Sequence, residues 1–129
     1  MKWQPIYATG LPAIDEQHKT LFASSEQFRE TMEAGEGIKT YDLFLEFLRA
    51  YAKAHFTYED ECMLARRCPI AARNRREHAG FLQMVDEETR RYDRDGFDRT
   101  QAYALLDRVD GWLVSHIGRI DVQLRDSPG

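Results

Sequence analysis

The sequence predicts an all-α protein: an up-down-up-down four-helix bundle with an extended N-terminal arm. Two observations carry that prediction. Four stretches space their apolar residues at alternating steps of three and four, the period of a helix with one buried face. Glycine and proline number only eight and four in 129 residues, and most gather at the joints between those stretches. No segment shows the strict alternation of a strand, and there is no internal repeat or low-complexity tract. The length suits a single domain over residues 1–129.

Residues 1–13 hold Pro5, Gly10 and Pro12 without sustained periodicity, so they are expected to form the arm, packed by Trp3, Ile6 and Tyr7. A first helix is expected from near Asp15, whose charge suits a helix N-terminus, with Ile14, His18, Leu21, Ser25, Phe28 and Met32 inward. Gly35 and Gly37 should end it. The second is expected after Thr40, with Asp42 in its first turn, and runs to about Arg67. Phe44, Leu48, Tyr51, His55, Tyr58, Glu59 and Cys62 share its inward face. Cys68-Pro69 breaks it, because a residue before proline resists helical geometry. The third helix carries Asn74, His78, Phe81, Val85, Glu88 and Tyr92 and meets Asp95-Gly96. The fourth is expected from near Asp98 to about Arg125, with Leu105, Val109, Trp112, Leu113, Ile117, Ile120 and Leu124 inward. Residues 126–129 then form a tail or the stub of a linker.

A net charge of −4 argues against general nucleic-acid binding, which needs a basic face. The local group Arg66, Arg67, Arg73, Arg75 and Arg76 is accounted for as solvated helix ends. No apolar run approaches a membrane span and the N-terminus has no signal-peptide pattern, so a cytoplasmic protein is expected. Cys62 and Cys68 fit no disulfide framework and are expected as thiols.

The chemistry concentrates in four histidines, His18, His55, His78 and His116. Each falls on a different predicted helix, on or beside its apolar stripe. A stripe covers roughly three positions in seven, so chance would turn all four inward about once in thirty. Glu59 lies one turn after His55 on the same face. Taken alone, that pair fits either a buried hydrogen bond or two metal ligands; three further inward imidazoles favour metal. Asp121 follows His116 by five residues, about 140° round an ideal helix, and reaches the same centre only if its side chain swings inward or the helix is irregular there. Imidazoles with bridging carboxylates suit iron or zinc better than magnesium or calcium. The paired Glu-x-x-His motifs of ferritin-like sites are absent.

Four motifs in order, Ile14-Asp-Glu-Gln-His18-Lys, His55-Phe-Thr-Tyr-Glu59-Asp-Glu, Glu77-His78 with Phe81-Leu82, and Trp112-Leu-Val-Ser-His116-Ile-Gly-Arg-Ile-Asp121, resemble the hemerythrins, specifically those of bacteria. The resemblance covers nearly the whole chain. It implies a four-helix bundle and two non-haem iron ions that bind dioxygen reversibly. On that resemblance His18 and His55 hold one iron, His78 and His116 the other, and Glu59 and Asp121 bridge them. One position departs: the family's third helix normally carries His-x-x-x-His, and Asn74 stands at the first of those histidines. Either Asn74 only hydrogen-bonds in the core, or the second iron gains a vacant or water-filled position. Phe22, Phe56, Phe81 and Trp112 are expected to wall the site. Tyr58 is either a phenolate donor or packing, Cys62 is expected as a buried thiol, and Glu77, about 100° round from His78, is not expected to be a ligand.

Hemerythrin-like domains also serve as input modules of signalling proteins, including cyclic-di-GMP synthases. The altered site fits an oxygen or redox sensor with a downstream output domain, binding dioxygen or a small anion or solvent ligand. A freestanding oxygen carrier or store and a peroxidase-like or NO-reducing enzyme are the alternatives. The domain itself is expected to be a ligand-binding module, a monomer or weak oligomer, with no nucleic-acid or membrane partner.

Overall fold

Proline and glycine mark several of the helix ends, among them Pro12 at the start of the first helix and Gly35 and Gly96 after the first and third. The computed structural model describes residues 2–126. The first helix, α1, spans Pro12–Glu33, three residues earlier than Asp15, because Pro12 fits the first helical turn, where no amide bond is needed. Helix α2 spans Gly37–Ala65, α3 spans Ala71–Asp95 and α4 spans Arg99–Arg119. Among the described residues there is no strand. Helix α1 packs on α2 and α4, and α3 packs on the same two, which closes a four-helix bundle.

The joints use recognisable caps. Gly35 ends α1 at φ 79°, its amide bonding to Met32 O while Glu36 N bonds to Thr31 O. The end of α2 repeats this pattern with Arg67 at φ 55°: its amide bonds to Leu64 O and Cys68 N bonds to Met63 O. Asp98 caps α4 by accepting from Gln101 N at 3.0 Å.

The arm is a short 3₁₀ turn, Pro5–Tyr7, followed by a pinned segment rather than an extended strand of chain. Thr9 donates through its amide and its hydroxyl to Asp15 Oδ1, at 2.8 and 2.9 Å. Tyr7 stacks on Phe22 and Trp3 packs on the core, but Ile6 is 68% exposed and takes no part.

The inward stripes of α1 and α3 are those expected, with Tyr92 only half-buried. The stripe of α2 is displaced. It buries Tyr41, Leu45, Ala52 and Met63 beside Phe44, Leu48, His55 and Glu59, while Tyr51 and Cys62 are half-buried and Tyr58 is 41% exposed. The fourth helix is not continuous to Arg125. It stops at Arg119 and the chain continues as a 3₁₀ segment, Asp121–Asp126. Gln123 donates to Arg119 O at 2.8 Å, satisfying a carbonyl that the break leaves without a helical partner. Of the tail expected at 126–129, Asp126 ends the 3₁₀ segment and 127–129 lie outside the described residues.

Two apolar clusters result. The larger contains Phe22, Phe56, Phe81, Leu113 and Ile117 and runs to Phe28 and Tyr41. The smaller joins Ile14, Met63, Cys68, Ile120 and Leu124. On α1 His18 lies in sequence between Ile14 of the smaller cluster and Leu21 of the larger, and on α2 and α4 His55 and His116 lie next to Phe56 and Ile117 of the larger.

Candidate metal centre

Each helix of the bundle delivers one imidazole to the polar layer, and all four are buried. Two carboxylates join them. Glu59 is fully buried on α2, one turn after His55, and Asp121 is 1% exposed at the start of the 3₁₀ segment. The break after Arg119 is what brings Asp121 inward, since a continued α-helix would carry it about 140° away from His116.

The carboxylate oxygens divide between two pairs of imidazoles. Glu59 Oε2 lies 3.1 Å from His18 Nε2 and 3.3 Å from His55 Nε2. Glu59 Oε1 lies 3.1 Å from His78 Nε2 and 3.8 Å from His116 Nε2. Asp121 repeats the division, with Oδ2 3.1 Å from His18 Nε2 and Oδ1 2.9 Å from His116 Nε2. The result is two four-residue groups, His18–His55–Glu59–Asp121 and His78–His116–Glu59–Asp121, that share both carboxylates. Each group could hold a metal ion, and the shared carboxylates would bridge the two.

Hydrogen bonding alone does not account for this layer. Both Asp121 oxygens and His116 Nε2 are buried without a hydrogen bond, although Asp121 Oδ1 and His116 Nε2 approach to 2.9 Å. Leaving such atoms unpaired is costly in a dry interior, and a cation between them removes the cost. The charges make the same demand. Burial disfavours the charged form of Glu59, but the surrounding imidazoles outweigh it and hold the carboxyl well below the usual range. Asp121 is pushed up by burial and by the charge of Glu59. Burial also disfavours the His18 and His116 cations, yet the two carboxylates raise them to about 9 and about 10. Without metal, then, the layer holds protons where cations fit.

Three residues, of which the sequence singled out only Glu77 and that as a non-ligand, support the imidazoles from behind. Gln17 Oε1 lies 2.6 Å from His55 Nδ1, and Glu77 Oε1 lies 2.8 Å from His116 Nδ1. Asp60 Oδ1 lies 3.1 Å from His78 Nδ1. An oxygen behind Nδ1 fixes the ring with Nε2 toward the centre and raises its basicity. Each supporter neighbours an inward residue in sequence and reaches the histidine of the next helix: α1 to α2, α2 to α3, α3 to α4. Gln17 and Glu77 precede their inward neighbours and Asp60 follows its own, as alternating helix directions require. The corresponding place on α4, one after His116, is Ile117, and His18 Nδ1 has no partner. Sequence adjacency to an inward ligand was the available signal.

Asn74 is fully buried on α3, one turn before His78. Its Nδ2 donates to Asp60 Oδ1 at 2.9 Å, while its Oδ1 has no partner. Phe56 stacks on His78 at 3.9 Å, Trp112 on His116 at 4.3 Å, and Phe81 meets both Phe56 and Trp112. Trp112 is half-buried. Phe22 touches the arm through Tyr7. Tyr58, expected in the wall or as a donor, points to solvent, because it lies about 100° round from the buried Glu59. Cys62 is half-buried in the smaller cluster.

Comparison with known proteins agrees with this geometry. The model of the hemerythrin HHE cation-binding domain matches residues 9–124. A bacteriohemerythrin of Clostridium acetobutylicum is 24% identical, covering 89% of this chain and 91% of its own length. A bacteriohemerythrin of Pseudomonas aeruginosa is 25% identical over 97% of this chain and 79% of its own. That of Stenotrophomonas maltophilia is 24% identical, over 89% and 72%. No solved structure matches the chain significantly. With its imidazoles and carboxylates in the matched region, the chain belongs to the hemerythrin HHE cation-binding family.

Proposed function

We propose that the chain is a non-haem di-iron domain, with His18 and His55 on one iron, His78 and His116 on the other, and Glu59 and Asp121 bridging. The observation that carries this reading is the division of both carboxylates, one oxygen toward each imidazole pair. Iron held there supplies a ferrous–ferric couple and open coordination positions for dioxygen or another small ligand. The protein's own part is to fix three of the four imidazoles, His55, His78 and His116, through Gln17, Asp60 and Glu77 and to keep the layer dry with Phe56, Phe81 and Trp112.

Asn74 supports a role in oxygen or redox sensing over storage. With its amide turned to Asp60, it leaves the two imidazole pairs nearly equivalent and the second iron with a position for solvent or a small anion. Solvent reaching the centre would shorten the life of its reduced form, which harms a store and is tolerable in a sensor. In this reading the domain is a ligand-binding input module, feeding an output such as a cyclic-di-GMP synthase, and acts in the cytoplasm; no described helix is long and apolar enough to cross a membrane. A freestanding oxygen carrier is the second reading, favoured by the similarity to curated bacteriohemerythrins.

Stopped-flow absorbance of the reduced, iron-loaded protein mixed with dioxygen separates the two. Sensing predicts prompt decay to the oxidised spectrum, slowed by Asn74→His. A spectrum that persists for hours in the unaltered protein contradicts sensing and supports the carrier.

A further inference from the structure

Asp60, the supporter of His78, faces a groove. A surface groove of about 270 Å³ lies between α2 and α3, lined by Thr57, Asp60, Glu61, Leu64, Ala71 and Arg75. The Asp60 side chain is 24% exposed there. Behind it are the fully buried Asn74, held at 2.9 Å, and His78 Nδ1 at 3.1 Å from the same oxygen. Asp60 therefore touches both the groove and the half of the site that has the unpartnered Asn74 Oδ1. The inner side of His78 is closed instead by the ring of Phe56 stacked on it.

We infer that this groove is the entrance for small ligands to the His78–His116 half of the centre, and that Asp60 filters them by charge. The inference rests on the di-iron reading. Asp60 and Glu61 put two carboxylates at the mouth against the single cation of Arg75, so an anion meets net repulsion and a neutral diatomic gas or water does not. Movement of Asp60 releases the Asn74 amide at the same time, so opening exposes one buried carbonyl and one buried NH₂ rather than apolar core. The ligand class admitted is thus a small neutral molecule.

The test uses iron-loaded protein whose iron content has been measured, with azide as the anionic probe and nitric oxide as the neutral one. Asp60→Asn keeps the size and an acceptor oxygen but removes the charge. It should raise the azide association rate several-fold relative to the nitric oxide rate, with a weaker dependence on salt. Leu64→Trp, at a position 71% exposed and therefore tolerant of bulk, should slow both probes. Ala23→Trp, in the separate groove between α1 and α2, should slow neither. Iron-loaded protein in which Leu64→Trp leaves both rates unchanged, or Asp60→Asn moves both equally, overturns the entrance and the filter respectively. Protein that takes up no iron overturns the di-iron reading itself, and this inference with it.

Discussion

Glu77 shows how a single residue changes meaning between sequence and structure. Its place 100° round from His78 excludes it as a ligand, and that part of the expectation agrees with its contacts. The same angle aims it at α4, where it holds His116 Nδ1. A carboxylate behind a ligating imidazole contributes to metal affinity without touching the metal. Glu77→Ala should therefore lower iron affinity about 10–100-fold with the helical content unchanged, measured by competition with a chelator and by circular dichroism. The inward histidines and Glu59 were legible because imidazole on an apolar stripe is unusual. Gln17 and Asp60 were not, since a polar residue at a stripe's margin looks like ordinary solvated surface until the facing helix is known.

Among the elements, α2 and α4 depart most from what periodicity predicts, for different reasons. In α2 the apolar residues Tyr51, Tyr58 and Cys62 compete with Ala52 and Met63 for the inward face, and pattern alone does not rank them. Packing against α1 and α3 does, and it selects the side that also buries Glu59. The break in α4 has no proline or glycine at Ile120 to announce it. It is held by tertiary contacts, with Ile120 and Leu124 buried against Ile14, Met63 and Cys68. Leu124→Ala should cost about 2–5 kcal/mol in urea unfolding and, by loosening the segment that carries Asp121, also weaken iron binding. At the end of α2, Arg67 occupies a left-handed position that glycine takes at Gly35 in the same bonding pattern. Arg67→Gly should stabilise the fold by about 1 kcal/mol, read from the same unfolding curves, with iron content unchanged.

For the molecule as a whole, bundle and metal layer are mutually dependent. The fold class was legible throughout the chain, because four stripes with short joints allow few other arrangements. The closure of two apolar clusters around a polar layer was not, since it depends on which helices are neighbours. That layer links stability to pH. His18 and His116, raised from 6.5 to about 9 and about 10, stabilise the metal-free fold fully below about pH 6.5, and the contribution is lost as pH rises through those values. Metal-free protein should accordingly unfold at lower urea near pH 10.5 than near pH 7. Iron-loaded protein, whose imidazoles are neutral ligands, should lack that loss and should instead release iron on acidification, as protons reclaim the imidazoles.

The central claim is that Glu59 and Asp121 are shared between two metal ions in this chain. Anomalous diffraction at the iron edge from crystals of the iron-loaded protein tests it most directly. The account predicts two peaks per chain, one between His18 and His55 and one between His78 and His116, with both carboxylates spanning them. A single peak, or two that do not share Glu59 and Asp121, would contradict it.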